Sequence, residues 1–200
     1  LSDLVRQADV VVENFRAGTL QGWGLDYEAL QALRPGLIYC TITGYGYSGP
    51  YKDRACYEVV AQSYSGMLDL TREATGKPPV RSAPPISDMS SGFFGTTAIL
   101  AALQHRKRTG RGQLIQTTML GACMAMLCYH YSHYFTSNEV PKAVGSGHLG
   151  LVPMAAYKCR DDYVVIATGW PRVARVIGAE WMIDDPRFAT LEARVKNREE

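Results

Sequence analysis

Apolar and polar positions along this chain fall into short β-branched runs separated by stretches with helical spacing. Ala8-Asp9-Val10-Val11-Val12-Glu13-Asn14 is one such run ending in polar residues, followed by a glycine-broken loop and a helix over Tyr27 to Leu33. Leu37-Ile38-Tyr39-Cys40-Thr41-Ile42-Thr43 repeats the arrangement. Strand, helix, strand at this spacing predicts parallel pairing with buried strands, because a crossover helix joins parallel neighbours economically. A turn-rich segment from Gly44 to Arg54 leads to a predicted helix over Tyr57 to Met67 and a polar loop over Thr71 to Arg81. Pro84-Pro85-Ile86-Ser87-Asp88 then opens a long helix, expected over Met89 to about Arg108 and stopped by Thr109-Gly110-Arg111-Gly112. Gln113 to Thr118 has the β-branched content of a third strand, and Leu120 to Phe135 reads as one long apolar helix.

The segment from Asn138 to Gly150 carries Pro141 and three glycines and is the expected domain boundary. Beyond it, Met154 to Lys158 and Tyr163 to Thr168 read as strands flanking the turn Arg160-Asp161-Asp162, with helix from Pro171 onward. The predicted architecture is α/β: a large Rossmann-like domain over 1–140 built on a parallel sheet with helices, a linker or glycine loop over 141–150, and the start of a smaller α+β domain over 151–200. Leu1-Ser2-Asp3-Leu4-Val5-Arg6 reads as the middle of an amphipathic helix, and the last residues stop inside another. The chain is therefore expected to be an internal fragment whose large domain lacks its first strand.

Composition removes several function classes. Of 200 residues, 46% are apolar and 20% charged, with a net charge of +2, which is ordinary globular usage and too mild for a nucleic-acid partner. His105-Arg106-Lys107-Arg108 sits in the last turn of the long helix, where cations complement the dipole. Five cysteines without C-x-x-C spacing suit reduced thiols in a cytoplasmic setting, and no metal site is expected. His130 and His133 are i,i+3 neighbours, but without a nearby acid they are read as packing residues. No run reaches the roughly 18 apolar residues that span a bilayer, so no membrane partner is expected.

Asp88 is the residue with the most chemistry to offer. An acid in the first turn of a helix is either a cap, accepting orphan backbone N–H groups at the positive end of the dipole, or a nucleophile. Gly44-Tyr45-Gly46-Tyr47-Ser48-Gly49 fits G-x-G-x-x-G after a strand, yet no helix opens directly on the glycines, which argues against a dinucleotide site. A glycine loop at the carboxyl end of a parallel strand still suits a ligand's phosphates. Asn14-Phe15-Arg16 occupies the equivalent end of the preceding strand, with an aromatic face for stacking and a guanidinium for phosphate. Gly145-Ser146-Gly147-His148 suits either a mobile lid or a plain linker.

In these residues the chain resembles the family III CoA-transferases. The resemblance runs from Ala8 to Arg198 and is carried by Val11-Val12-Glu13-Asn14-Phe15-Arg16, Gly24-Leu25-Asp26-Tyr27, Thr43 through Tyr51, Ser87-Asp88-Met89-Ser90-Ser91-Gly92, Arg108 through Gln113, and Asp184-Asp185-Pro186-Arg187-Phe188. It implies that Asp88 attacks an acyl-CoA thioester, giving an aspartyl anhydride and then an aspartyl-CoA thioester, with a carboxylic acid as acceptor. It further implies that coenzyme A, entering as the acyl-CoA substrate, meets Asn14, Phe15, Arg16, Thr43, Gly44 and Tyr45. Gly145, Gly147 and His148 are expected to cover the intermediate, and the assembly to be an interlocked homodimer. Members often carry Arg or Lys a few residues after the first block, where this chain has Gly22 and Trp23, so phosphate charge is expected from elsewhere. The α-methylacyl-CoA racemases share this fold but use a His where this chain has Tyr57 followed by Glu58, so the transferase reading is preferred. A non-catalytic CoA-binding or dimerisation module is the other alternative.

Overall fold

A computed structural model describes residues 1–167 and 169–200, in two compact units. The first comprises 1–68 with 81–136, the second 69–80 with 137–200. Residues 69–80, which lie inside the expected 1–140 span, therefore group with the later part of the chain.

The first unit is built on β1 (Val10–Glu13), β2 (Ile38–Thr43) and β3 (Gln113–Thr118), all parallel and in the order β1-β2-β3. Val12 pairs with Cys40, and Cys40 with Ile115. The accompanying helices are α1 (Ser2–Val5), α2 (Thr19–Gly22), α3 (Tyr27–Leu33), α4 (Glu58–Tyr64), α6 (Ile86–Thr109), α7 (Met119–Met126) and α8 (Cys128–Ser137), the last residue of α8 falling in the second unit, while α5 (Met67–Leu70) is divided between the two units after residue 68. The parallel pairing expected from the strand–helix–strand spacing is present, in a mixed α/β fold.

Because strand side chains alternate between faces, β2 divides its residues between two cores. Leu37 and Tyr39 face Val5, Leu20 and Leu30, while Ile38 and Cys40 face Ala102 and Ile115. Both faces of β2 are thus covered, which explains a run apolar at successive positions rather than alternating. Ala98, Ile99 and Leu103 of α6 pack against the second core, and Gly95 lies where an added Cβ would be 3.4 Å from the Cys40 Sγ. Small residues on this face let α6 approach the sheet closely. The helix runs back across the strands, with Ala102 near Ile38 and Gly95 near Ile42, so its amino end reaches the carboxyl edge of the sheet.

Helix boundaries differ from expectation in several places. The stretch read as one helix over Tyr57 to Met67 is α4, which ends at Tyr64, followed by α5 from Met67. The α6 helix starts at Ile86, not near Met89, with Pro85 as its cap residue and no capping side chain. Proline has no N–H to leave unsatisfied, and its fixed φ suits a helix entry. Asp88 is accordingly the third helical residue and not the cap. The apolar stretch from Leu120 to Phe135 is two helices, α7 and α8, interrupted at Leu127.

In the second unit, β4 (Ala155–Lys158) and β5 (Tyr163–Ile166) pair antiparallel across the turn at Arg160, as the sequence predicts. Thr168, the expected last residue of that strand, lies outside the described residues. Helices α9 (Arg172–Val176) and α10 (Leu191–Lys196) follow, with Val173, Ala174 and Phe188 buried. Arg187 bonds Asp185 and Glu200 at 2.8 and 2.7 Å.

Gly112 leads into β3 where an added Cβ would sit 1.9 Å from the Leu37 carbonyl oxygen. Gly112→Ala is expected to lose roughly 2–4 kcal/mol of stability by displacing β3 from β2. Chemical denaturation measures it, and unchanged stability would contradict the close approach.

Candidate active site

A cavity of about 300 Å³ opens at the carboxyl edge of the first unit's sheet. The loop after β1 contributes Asn14, Phe15, Arg16 and Ala17, and the end of β2 contributes Ile42, Thr43, Gly44 and Tyr45. Asp88 and Ser91 enter from the first turns of α6, with Met119 at the start of α7. Lys52, Arg54 and Cys56 complete the lining from the segment after the glycine loop. One site therefore brings together Asp88 and all six residues expected to meet a CoA ligand. Gly145, Gly147 and His148 are not among its lining residues.

Buried polar groups hold the two loops in place. Glu13, 5% exposed at the end of β1, accepts the Phe15 N–H at 2.8 Å and the Tyr47 hydroxyl at 3.1 Å. One carboxylate thus joins the Asn14-Phe15-Arg16 turn to the glycine loop. Arg16 donates to the Asp53 carbonyl at 2.6 Å, and the Thr43 hydroxyl accepts the Gly46 N–H at 2.9 Å. Gly44 permits a closer contact still: a Cβ there would meet the Cys56 Cβ at 2.1 Å. The residue at 44 must be glycine for the segment carrying Lys52, Arg54 and Cys56 to fold against the strand end.

The site's electrostatics set two carboxyl groups apart. Partial desolvation, and secondly the charge of Glu58, raise the proton affinity of Asp88, which stays exposed toward the cavity. Glu58 moves the other way. Burial alone would raise it, but hydrogen bonds from Gln62, Arg81 and the Ser87 backbone, with the Arg81 charge, outweigh that and lower it. Paired acids driven in opposite directions are a recurrent feature of acid–base and nucleophilic sites. Burial and the Cys56 side chain push the Tyr45 hydroxyl up to about 12, keeping it a protonated hydrogen-bond donor at neutral pH. Cys56 is likewise raised by burial, against a hydrogen bond from Tyr45 that lowers it, with the Asp88 charge adding to the rise.

Arg16, Lys52 and Arg54 give the cavity three cations, and Phe15 offers a half-exposed ring packed edge-on to Trp23 with centroids 5.8 Å apart. That combination suits a polyphosphate ligand bearing an aromatic base. Lys52 and Arg54 supply charge that Gly22 and Trp23 do not. They escape a sequence reading because their position depends on the Gly44 to Cys56 contact across the turn. Among the described residues, no group of three or more His, Cys, Asp and Glu is placed to hold a metal ion. None of the helices among the described residues is long and apolar enough to cross a membrane.

The expected lid is held within the second unit. Gly147 N–H bonds the Val144 carbonyl at 2.8 Å, His148 N–H the Met154 carbonyl at 3.1 Å, and Arg198 donates to the carbonyls of His148 and Leu149 at 3.2 and 2.8 Å. Gly145 has φ of +57° and passes so close to the Glu73 carbonyl that a Cβ would be 2.7 Å from its oxygen.

The chain matches CoA-transferase family III over residues 1–200 and belongs to that family. It is 38% identical over 98% of its length to the succinate–glutarate CoA-transferase of Agrobacterium fabrum, covering 50% of that protein. It is 34% identical over 98% of its length to the formyl-CoA:oxalate CoA-transferase of Streptomyces avermitilis, covering 52%. The crystal structure of a CAIB/BAIF family protein from Brucella suis superposes with a TM-score of 0.82 at 38% identity, over 99% of this chain and 53% of that one. The chain spans about half the length of the curated relatives it matches.

Gly44→Ala is expected to cost about 1–3 kcal/mol by overpacking against Cys56. Removing the Cys56 side chain in the Gly44→Ala, Cys56→Gly double variant is expected to recover part of that loss beyond additivity. Strictly additive thermal unfolding data would show that the two residues do not meet.

Proposed function

We propose that the intact protein is an acyl-CoA:carboxylate CoA-transferase with Asp88 as nucleophile. The observation that carries this reading is the position of the Asp88 carboxylate in one cavity with three cations and the Asn14-Phe15-Arg16 turn. A carboxylate at the third position of a long helix is aimed and electrostatically supported by the helix's amino end.

In the proposed cycle an Asp88 oxygen attacks the thioester carbon of the donor acyl-CoA. The carbon–sulfur bond breaks, leaving an aspartyl anhydride and CoA thiolate. The thiolate then attacks the Asp88 carbonyl, releasing the donor acid and forming an aspartyl-CoA thioester. The acceptor carboxylate attacks that thioester to give a second anhydride, and the returning thiolate takes the new acyl group and frees Asp88. Charge is conserved, no redox step is needed, and CoA acts as substrate throughout. Arg16, Lys52 and Arg54 hold its phosphates, Phe15 stacks its base, and the Tyr45 hydroxyl and nearby N–H groups stabilise the developing oxyanion.

Anhydrides hydrolyse, so the cycle requires cover from water, a role we assign to the loop bearing Gly145, Gly147 and His148. An interlocked homodimer accords with Phe93 and Leu100 standing 66% and 59% exposed on α6. The relatives named for succinate, glutarate and oxalate make short dicarboxylic acids the first substrates to try. Tyr57, in the place of the racemase base, is 72% exposed at the start of α4 and does not line the cavity.

The test is exchange of CoA between succinyl-CoA and labelled glutarate, oxalate or succinate by the full-length protein. Asp88→Ala is expected to lower kcat about a thousandfold or more. Unchanged exchange would remove Asp88 from the nucleophile's role. Lys52→Ala and Arg54→Ala are each expected to raise KM for acyl-CoA about tenfold with little change in kcat, as loss of one charge-assisted phosphate contact implies. Wild-type KM in both variants would place the phosphates elsewhere. Because Asp88 must be ionised to attack and its proton affinity is raised, kcat/KM is expected to fall on the acid side at a pH above the ordinary aspartate value of 3.8. A limb at or below that value would contradict the assignment.

A further inference from the structure

The first turn of α6 poses a problem that its own residues do not solve. Its leading N–H groups need acceptors, and Pro85 at the cap position supplies no side-chain oxygen. An acid at the third helical position commonly reaches back to serve the helix entrance. Asp88 occupies that position, so capping and nucleophilic attack would compete for one carboxylate.

A second carboxylate resolves the competition. Glu58, the first residue of α4, accepts the Ser87 backbone N–H, and the Ser87 hydroxyl donates back to the Glu58 carbonyl at 3.3 Å. The Glu58 carboxylate is itself fixed: Arg81 Nε donates to Oε2 at 3.1 Å, and Gln62 Nε2 donates to Oε1. Gln62, fully buried, also donates to the Ser82 hydroxyl at 2.8 Å and accepts the Ser82 N–H at 3.1 Å. The Ser82 hydroxyl in turn donates to the Pro84 carbonyl at 2.9 Å. Residues 81–85, the approach to α6, are thereby laced to α4 at Glu58 and Gln62.

We propose that Glu58 is a positioning residue that caps α6 from the neighbouring helix, held there by Arg81, and so leaves the Asp88 carboxylate free to face the cavity. The inference rests on the proposed nucleophilic role of Asp88 for its catalytic consequence, though not for its geometry. The charged and titratable groups around Asp88 are Arg16 after β1, Tyr45, Lys52, Arg54 and Cys56 after β2, Glu58 on α4, and Cys123 on α7. Of the charged neighbours, Glu58 is the one that raises Asp88.

The experiment compares wild-type, Glu58→Gln and Glu58→Ala full-length protein. The Asp88 carboxyl carbon is followed by pH titration in protein carrying ¹³C-labelled aspartate, and its signal is assigned by its loss in Asp88→Asn. Glutamine keeps an oxygen for the Ser87 N–H but removes the charge. The Asp88 titration midpoint is therefore expected to fall in Glu58→Gln, and the acid limb of kcat/KM to move to lower pH with it. Glu58→Ala removes the cap, and kcat is expected to fall about tenfold or more while KM for acyl-CoA stays within about twofold.

An unmoved Asp88 midpoint in Glu58→Gln, or wild-type kcat in folded Glu58→Ala, would overturn the proposal. Should Glu58→Ala not fold, the Glu58→Gln titration decides alone. If the wild-type protein transfers no CoA, the nucleophile reading fails, and the titration still decides whether Glu58 acts on Asp88.

Discussion

The packing of α6 along β2 is the constraint on which the rest depends. Ile38, Cys40 and Ile42 form one face of the central strand, and Ala98, Ile99, Ala102 and Leu103 form the stripe that covers it. Because the helix connects parallel strands, it must run opposite to them, and its amino end arrives at the edge where the strands deliver their loops. Asp88 stands in the cavity for that reason. Any change that lifts α6 from β2 moves the carboxylate with it, so the small residues Gly95 and Ala102 matter to the chemistry without touching the site.

The same edge solves an electrostatic problem by division of labour. Three carboxylates lie close to it, and each is held differently. Glu13 is consumed by the Phe15 N–H and the Tyr47 hydroxyl, and fixes the loops. Glu58 is bound to Arg81, Gln62 and the start of α6, which keeps it charged. Asp88 is left with its charge opposed by Glu58 and its carboxylate toward the cavity. The cations Arg16, Lys52 and Arg54 share that cavity, and the polar turns that carry them are fixed through backbone contacts such as Arg16 to the Asp53 carbonyl. The two acids held by hydrogen-bond donors thus stand apart from the acid that lines the cavity.

Much of this was legible in the residues because it rests on local pattern. The β-branched runs mark the three parallel strands to within about two residues, and β3 runs from Gln113 to Thr118 as read. The six residues assigned to the ligand lie at strand ends, where a parallel sheet places its loops, and they share the cavity. What was illegible depends on contacts distant in sequence. The start of α6 at Ile86 is supported from Glu58, a residue of another helix. Lys52 and Arg54 reach the cavity only because Gly44 admits Cys56 against its backbone. The break at Leu127 falls in a continuously apolar stretch that carries no periodic signal of interruption. Thr71 to Arg81 reads as a polar loop within the expected 1–140 span, yet residues 69–80 cluster with the second unit, where Gly145 passes close to Glu73.

In the proposed cycle Asp88 is the carboxylate that becomes activated. That role is tested most directly by incubating the full-length protein with succinyl-CoA, quenching with hydroxylamine, and sequencing the peptides by mass spectrometry. Hydroxylamine converts an activated carboxylate to a hydroxamate, so a hydroxamate is expected at Asp88 that requires acyl-CoA and is absent from unexposed protein. CoA exchange proceeding while Asp88 stays unmodified, or a hydroxamate appearing at another carboxylate such as Glu58, would contradict that role.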